Sequence, residues 1–252
     1  MIKILKRKKK PNILEVNELI WTNELLAEIT KYGTYKKLPD SVKSLVNSRY
    51  KHADIKSILF KKKRTKCAFC ETFPTETGFL EVEHFYPKSI YPEKSFEWLN
   101  LLPSCKRCNL KKSTLDTKAF PLVKPDEEEP SKYFTYDHIM MKVLDSASDK
   151  DKDKGERTIS RLELNEYRLI KPRSELLVSL VGFQNELEKT LKEIADSKQM
   201  AKKKRIASKV LDSLDQINEL KKKGNKHSGF CKHFIENNDV FNLAKVEASK
   251  YI

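Results

Sequence analysis

Two short cysteine pairs, Cys67 with Cys70 and Cys105 with Cys108, constrain this chain more than any other feature. In each pair the two intervening residues let both thiolates grip one ion, and four sulfurs close a tetrahedral shell with no position open to water. A zinc ion held this way builds a fold and does no chemistry of its own. Two matched pairs make unpaired buried thiols a poor alternative, and the context is not the βαβ unit of a thioredoxin-like redox site. Thiolates that bind metal suit a reducing compartment better than a secreted disulfide framework does. The fifth cysteine, Cys231, stands alone with His227 and His233 nearby. Without a fourth ligand, these three are expected on an ordinary helix.

The segments around the cysteines divide by periodicity. Ile13, Val16, Leu19, Ile20, Leu25, Leu26 and Ile29 recur at helical spacing, and Val42, Leu45, Val46, Tyr50, Ile55, Ile58 and Leu59 do so again, predicting two helices ahead of Cys67. Gly33 and Pro39 break the chain between them, and Asp40 or Ser41 is placed to cap the second. Between the pairs, residues 79–83 form a short strand and a loop carries Pro87 and Pro92, after which the second pair opens a helix. Phe134, Tyr136, Ile139, Met141 and Val143 suggest a small hairpin. Residues 146–155 alternate Ser, Asp and Lys and are expected to be an exposed linker. Leu176, Leu180, Phe183, Leu187, Leu191 and Ile194, then Ile206, Val210, Leu211, Leu214, Ile217 and Leu220, give two amphipathic helices. The expected class is α+β, a mainly helical chain with an embedded zinc-stapled module. Its divisions are a basic helical region at 1–62, the module with the following hairpin at 63–145, and a helical region at 156–252.

Charge narrows the partner. Of a formal +15, the first 66 residues carry +12. Dense positive charge beside a metal-stapled module points to a polyanion such as nucleic acid, whose condensed counterions are released on binding. Lys6, Arg7, Lys8, Lys9 and Lys10 contact nucleic acid or are simply solvated, whereas Lys61, Lys62, Lys63 and Arg64 run directly into Cys67. No stretch approaches the roughly 18 apolar residues of a membrane span, and the amino terminus lacks a secretory apolar core, so an intracellular protein is expected.

Between the pairs stands Glu81-Val82-Glu83-His84-Phe85-Tyr86-Pro87-Lys88-Ser89, followed by Trp98-Leu99-Asn100-Leu101-Leu102-Pro103 and Cys105-Lys106-Arg107-Cys108-Asn109-Leu110-Lys111-Lys112. This resembles the cysteine-bearing HNH endonucleases of the treble-clef, ββα-metal type. Their pattern is an acidic residue before His, a proline three positions on, a middle Asn-Leu, and Cys-X-X-Cys-Asn-X-X-Lys. The resemblance implies that His84 is the general base, that Glu83 and Asn109 hold one Mg²⁺ or Mn²⁺, and that Asn100 ties down the intervening loop. A neutral imidazole accepts a proton at cellular pH, and carboxylate and amide oxygens are hard ligands suited to such ions. Where the family more often has Asp, this chain has Glu83, and Glu81 on the same strand face is a second-choice ligand. Lys112, Lys88 and the run at 61–64 are candidate phosphate contacts.

A narrower likeness covers Lys66-Cys67-Ala68-Phe69-Cys70-Glu71, residues 81–89, and Leu162-Glu163-Leu164-Asn165 with Arg168 and Arg173. These resemble the PtuB-type nucleases, the HNH partners of Septu anti-phage systems that also serve some retrons. That resemblance implies a bacterial cytoplasmic defence role beside an ABC/SMC-like ATPase of the PtuA type, and the surplus of helix around a module of about 50 residues suggests that the flanking helices dock it. DNA is the default substrate, with RNA open to the same chemistry. A stand-alone restriction or homing nuclease and a zinc-knuckle binding module without activity are the alternatives.

Overall fold

A computed structural model describes residues 1–4, 10–60, 65–73 and 79–252. Lys6, Arg7, Lys8 and Lys9 and the run Lys61, Lys62, Lys63 and Arg64 lie outside the described residues. The chain divides into two compact units, residues 1–134 with 143–164 and residues 135–142 with 165–252.

The first unit opens with α1 (Asn12–Tyr32), which Gly33 ends at φ +86°, its N–H donating to the Ile29 carbonyl. That left-handed backbone is easily adopted only by glycine. Beyond it the single helix expected over Val42 to Leu59 is two, α2 (Asp40–Tyr50) and α3 (Ala53–Leu59). His52 leaves helical geometry and its ring accepts from the Asp54 N–H, so a local side-chain bond starts a new helix where the apolar spacing continues without a break. Neither Asp40 nor Ser41 caps α2. Asp40 is the first helical residue, where the helix dipole favours its carboxylate.

Strand β1 (Leu80–His84) pairs antiparallel with β2 (Leu101–Cys105), in a register that sets Glu83 opposite Leu102 and His84 opposite Leu101. Helix α4 (Lys106–Lys112) follows at once, and the Cys105 sulfur accepts from the Cys108 N–H at its first turn. Leu14 and Leu25 of α1, Val46 and Tyr50 of α2, and Ile55 of α3 form one buried core with Val82, Phe96, Trp98 and Leu101. Each aliphatic or Phe side chain buried there contributes about 1.5–3 kcal/mol. The helices ahead of the cysteines and the strand pair are therefore held by the same apolar cluster.

The expected hairpin is present as β3 (Phe134–Asp137) and β4 (Met140–Val143). The expected linker is not. Residues from Asp149 form α5 (Asp149–Arg161), capped by the Ser148 hydroxyl, which accepts from the Asp151 N–H. The segment is polar because its inward face is small: Gly155 and Thr158 are buried, and the Thr158 hydroxyl accepts from the Val123 N–H at 2.9 Å. A Cβ at Gly155 would lie 2.8 Å from Val143 Cγ2. Overpacking costs about 1–3 kcal/mol, against at most about 1 kcal/mol gained from alanine's helix propensity. Gly155→Ala is thus expected to lower the urea midpoint, whereas a true linker would leave it unmoved or raise it.

The second unit contains α6 (Tyr167–Asp196), α7 (Met200–Glu219), α8 (Ser228–Glu236) and α9 (Asp239–Ser249). The first two are the amphipathic helices anticipated from sequence, with α6 starting about two turns earlier. Leu180, Leu187 and Ile194 of α6 pack with Val210 and Leu214 of α7, Phe230 of α8 and Phe241 of α9. Cys231 is part of this core on α8, His233 lies on the same helix beside the Tyr136 ring, and His227 precedes it. Buried Arg173 donates to the Ile139 carbonyl and the Asn165 side-chain oxygen, tying α6 to the hairpin turn. No helix among the described residues is long and apolar enough to cross a membrane.

Candidate active site and metal centre

The four sulfurs of Cys67, Cys70, Cys105 and Cys108 lie within 4.8 Å of one another, and all four residues are buried. Ligands about 2.3 Å from a tetrahedral zinc stand about 3.8 Å apart, and the Cys70 and Cys105 sulfurs are 3.8 Å apart. The donor set and its spacing fit zinc. Backbone bonds shape the first knuckle: the Cys67 N–H donates to the Thr72 carbonyl, the Glu71 N–H to the Cys67 carbonyl, and the Ala68 N–H to the Pro103 carbonyl of β2. Glu71 takes φ +62° to close this turn. A metal held by the four sulfurs would clasp the first knuckle to the junction of β2 and α4.

That junction aims one strand face at one helix face. Glu81 and Glu83, two apart on β1, share a face, and Asn109 and Lys112 lie three apart on α4. The Asn109 amide nitrogen donates to Glu81 Oε2 at 2.6 Å, leaving its carbonyl oxygen as the remaining donor atom for a cation. Lys112 Nζ pairs with Glu83 Oε1 at 2.7 Å and also reaches the Ser113 carbonyl. Lys112 is 0% exposed. Lys112, a candidate phosphate contact from sequence, is paired here with the Glu83 carboxylate of β1. Burial raises the Glu83 pKa and the Lys112 ammonium opposes the shift, leaving it at about 7. Lys112→Met would strand that carboxylate, and breaking a buried pair costs about 3–5 kcal/mol. The single variant is expected to melt early, with Glu83→Gln/Lys112→Met recovering most of the stability. Equal melting of single and double variants would show that the pair carries no such coupling.

His84 ends β1 and is buried. Its Nε2 lies 2.8 Å from the Ser95 carbonyl oxygen. A carbonyl only accepts, so Nε2 carries the hydrogen and Nδ1 keeps a lone pair. The ring stands edge-on to Tyr50 at 4.6 Å between centroids. Burial lowers its pKa to about 3, with the Lys88 charge adding to the effect, so the ring is neutral at cellular pH.

Asn100, wholly buried just before β2, sets the loop that supplies Ser95. Its Oδ1 accepts from the Tyr86 N–H at 2.7 Å, and its Nδ2 donates to the Tyr86 and Lys94 carbonyls at 3.0 and 2.9 Å. The side chain thus pins both ends of the segment running from His84 to its acceptor.

Glu83, His84 and Asn109 line a cleft of about 510 Å³ together with Lys88, Tyr35 and Tyr50. Lys36 of the turn before α2 and Lys43 of α2 also line it. Sequence reasoning singled out Lys88 but not Tyr35, Lys36, Lys43 or Tyr50 as site residues. Nothing local marks them, since they reach the cleft only through the shared core.

No protein-family model matches the chain. Curated proteins do, over half its length. The chain is similar to Septu protein PtuB. The PtuB of Bacillus thuringiensis is 40% identical over a stretch covering 50% of this chain and 48% of that protein. The PtuB of Bacillus mycoides (strain KBAB4) is 27% identical, covering 50% of this chain and 52% of its own length. The chain spans about half the length of these curated PtuB relatives.

Proposed function

We propose that this chain is a metal-dependent endonuclease of the HNH type, hydrolysing phosphodiester bonds in nucleic acid, DNA in preference to RNA. The observation that carries the reading is the contact of His84 Nε2 with the Ser95 carbonyl, which leaves the Nδ1 lone pair of a buried imidazole next to Glu83 and in one cleft with Asn109. Nδ1 takes the proton from a water as its oxygen attacks phosphorus, and the bond to the 3′ oxygen breaks on the far side. Glu83 and Asn109 would hold the divalent cation, with Glu81 held beside Asn109 by the amide hydrogen bond. These are hard oxygen donors of the kind Mg²⁺ or Mn²⁺ takes. A cation held there would offset the negative charge that builds on the phosphate oxygens and the leaving 3′ oxygen. Asn100 keeps the imidazole aimed by fixing the loop that carries Ser95.

The similarity to Septu protein PtuB supports placing this activity in a bacterial anti-phage complex, as the nuclease effector beside an ATPase partner of the PtuA type in the cytoplasm. The test is incubation of the purified chain with DNA and with RNA, with Mg²⁺ or Mn²⁺, alone and with a PtuA-type ATPase. Cleavage that needs the divalent cation and disappears in His84→Ala is the expected result. Tight binding with no cutting under every condition would leave a zinc-dependent binding module instead.

A further inference from the structure

We infer that the elements ahead of the zinc knuckle complete the substrate cleft, with Lys88 gripping the scissile phosphate and Lys36 and Lys43 seating a flanking phosphate. This rests on the proposed nuclease activity and adds to it which residues hold the substrate.

Among the described residues, the buried lysines are paired. Lys66 meets Glu71 at 2.6 Å, Lys112 meets Glu83 at 2.7 Å, and Lys124 meets Glu127. Each ammonium taken from water has a carboxylate, as the cost of burying a charge requires. Lys88 departs from the pattern. It is half-buried, and among the described residues no carboxylate forms an ion pair with it. Its Nζ lies 5.8 Å from the Tyr35 ring centroid and 5.2 Å from that of Tyr50. The two aromatic faces hold the ammonium in place but carry no net charge to neutralise it. Burial accordingly lowers the Lys88 pKa, while Glu83 across the cleft opposes the shift and Lys51 and Lys112 reinforce it.

A fixed cation on the wall that also carries His84 lacks an anion, and a phosphodiester is the anion this chemistry brings. Toward Tyr50, Lys88 makes a ring contact, and the Tyr50 hydroxyl is turned to donate to Asn47 at 2.9 Å. Lys36 is exposed on the same cleft, and Lys43 has a single exposed contact with Asp40 at 3.6 Å, a pair of little energetic worth. Both ammonium groups are therefore available to a strand leaving the catalytic centre. Tyr35, Lys36, Lys43 and Tyr50 all precede Cys67, so the amino-terminal helices become part of the catalytic wall.

Two measurements on the full, zinc-loaded chain test this. In a His84→Ala background without added divalent cation, which suppresses cutting, binding of a labelled DNA duplex is followed between about 50 and 200 mM salt. For every phosphate that a variant no longer neutralises, the slope of log K against log salt should fall by about 0.9. Lys88→Ala and Lys36→Ala/Lys43→Ala should both flatten the slope, whereas the charge-matched pair Lys189→Ala/Lys222→Ala in the second unit should not. In the second measurement, with His84 intact, Lys88→Ala should lower kcat at saturating substrate by about 10²-fold, and the Lys36/Lys43 double variant should act mainly on KM. Unchanged slopes in both cleft variants would overturn the inference even if the wild type cuts DNA. If the wild type cuts nothing, the nuclease reading fails, and the binding slopes alone still decide whether this wall holds phosphates.

Discussion

Replacing Cys105 with serine, or stripping the metal with a strong chelator, is expected to abolish the cooperative melting of the first unit. Cys105 ends β2, caps α4 and belongs to the four-sulfur cluster, so one substitution removes a metal ligand, a strand end and a helix start together. Structural zinc contributes an apparent 10–16 kcal/mol, roughly, in small metal-dependent folds. The whole net stability of a domain is about 5–15 kcal/mol. The strand pair is too short to stand alone, and Val82, Trp98 and Leu101 from this region are part of the core that α1, α2 and α3 pack upon. The second unit has its own apolar core, so part of the helical far-ultraviolet signal should survive. Metal analysis should find one zinc per wild-type chain and none in the variant. A metal-free chain that melts as the wild type does would refute the zinc assignment.

His84→Ala should lower turnover by about 10²–10⁴-fold, the range typical of a positioned general base. The fold should persist at reduced stability. The Ser95 carbonyl loses its donor and Tyr50 loses its edge-on neighbour, and an unsatisfied buried acceptor costs about 1–3 kcal/mol. Binding of DNA should change little, because the ring carries no charge at cellular pH. A matched fall in binding and turnover would point to a collapsed cleft, which the melting curve would reveal. Undiminished turnover in a well-folded variant would remove His84 from the chemistry.

The parts of this protein legible in one dimension are those whose geometry is local. Cys-X-X-Cys spacing brings two sulfurs together whatever surrounds them, and the four-sulfur cluster emerges from two such turns. Strand alternation puts Glu81 and Glu83 on one face, and the helical repeat puts Asn109 and Lys112 on another. Apolar periodicity likewise located α1, α6 and α7. It ran over the break at His52, because a side-chain cap interrupts a helix without disturbing the spacing of Val46, Ile55 and Ile58. It also missed α5, whose buried face is a glycine and a threonine and so shows no hydrophobic stripe.

By itself, then, the sequence determined the sulfur cluster, the acidic strand leading into His84 and the helix bearing Asn109, since each depends on residues a few positions apart. Only the tertiary structure decided what those faces meet. Which carboxylate takes Lys112, which carbonyl sets the His84 tautomer, and which rings hold Lys88 all depend on packing between segments far apart in the chain. Burial then sets the charge states, because Glu83 and His84 carry their unusual proton affinities only once α2, β1 and α4 have closed around them and excluded water.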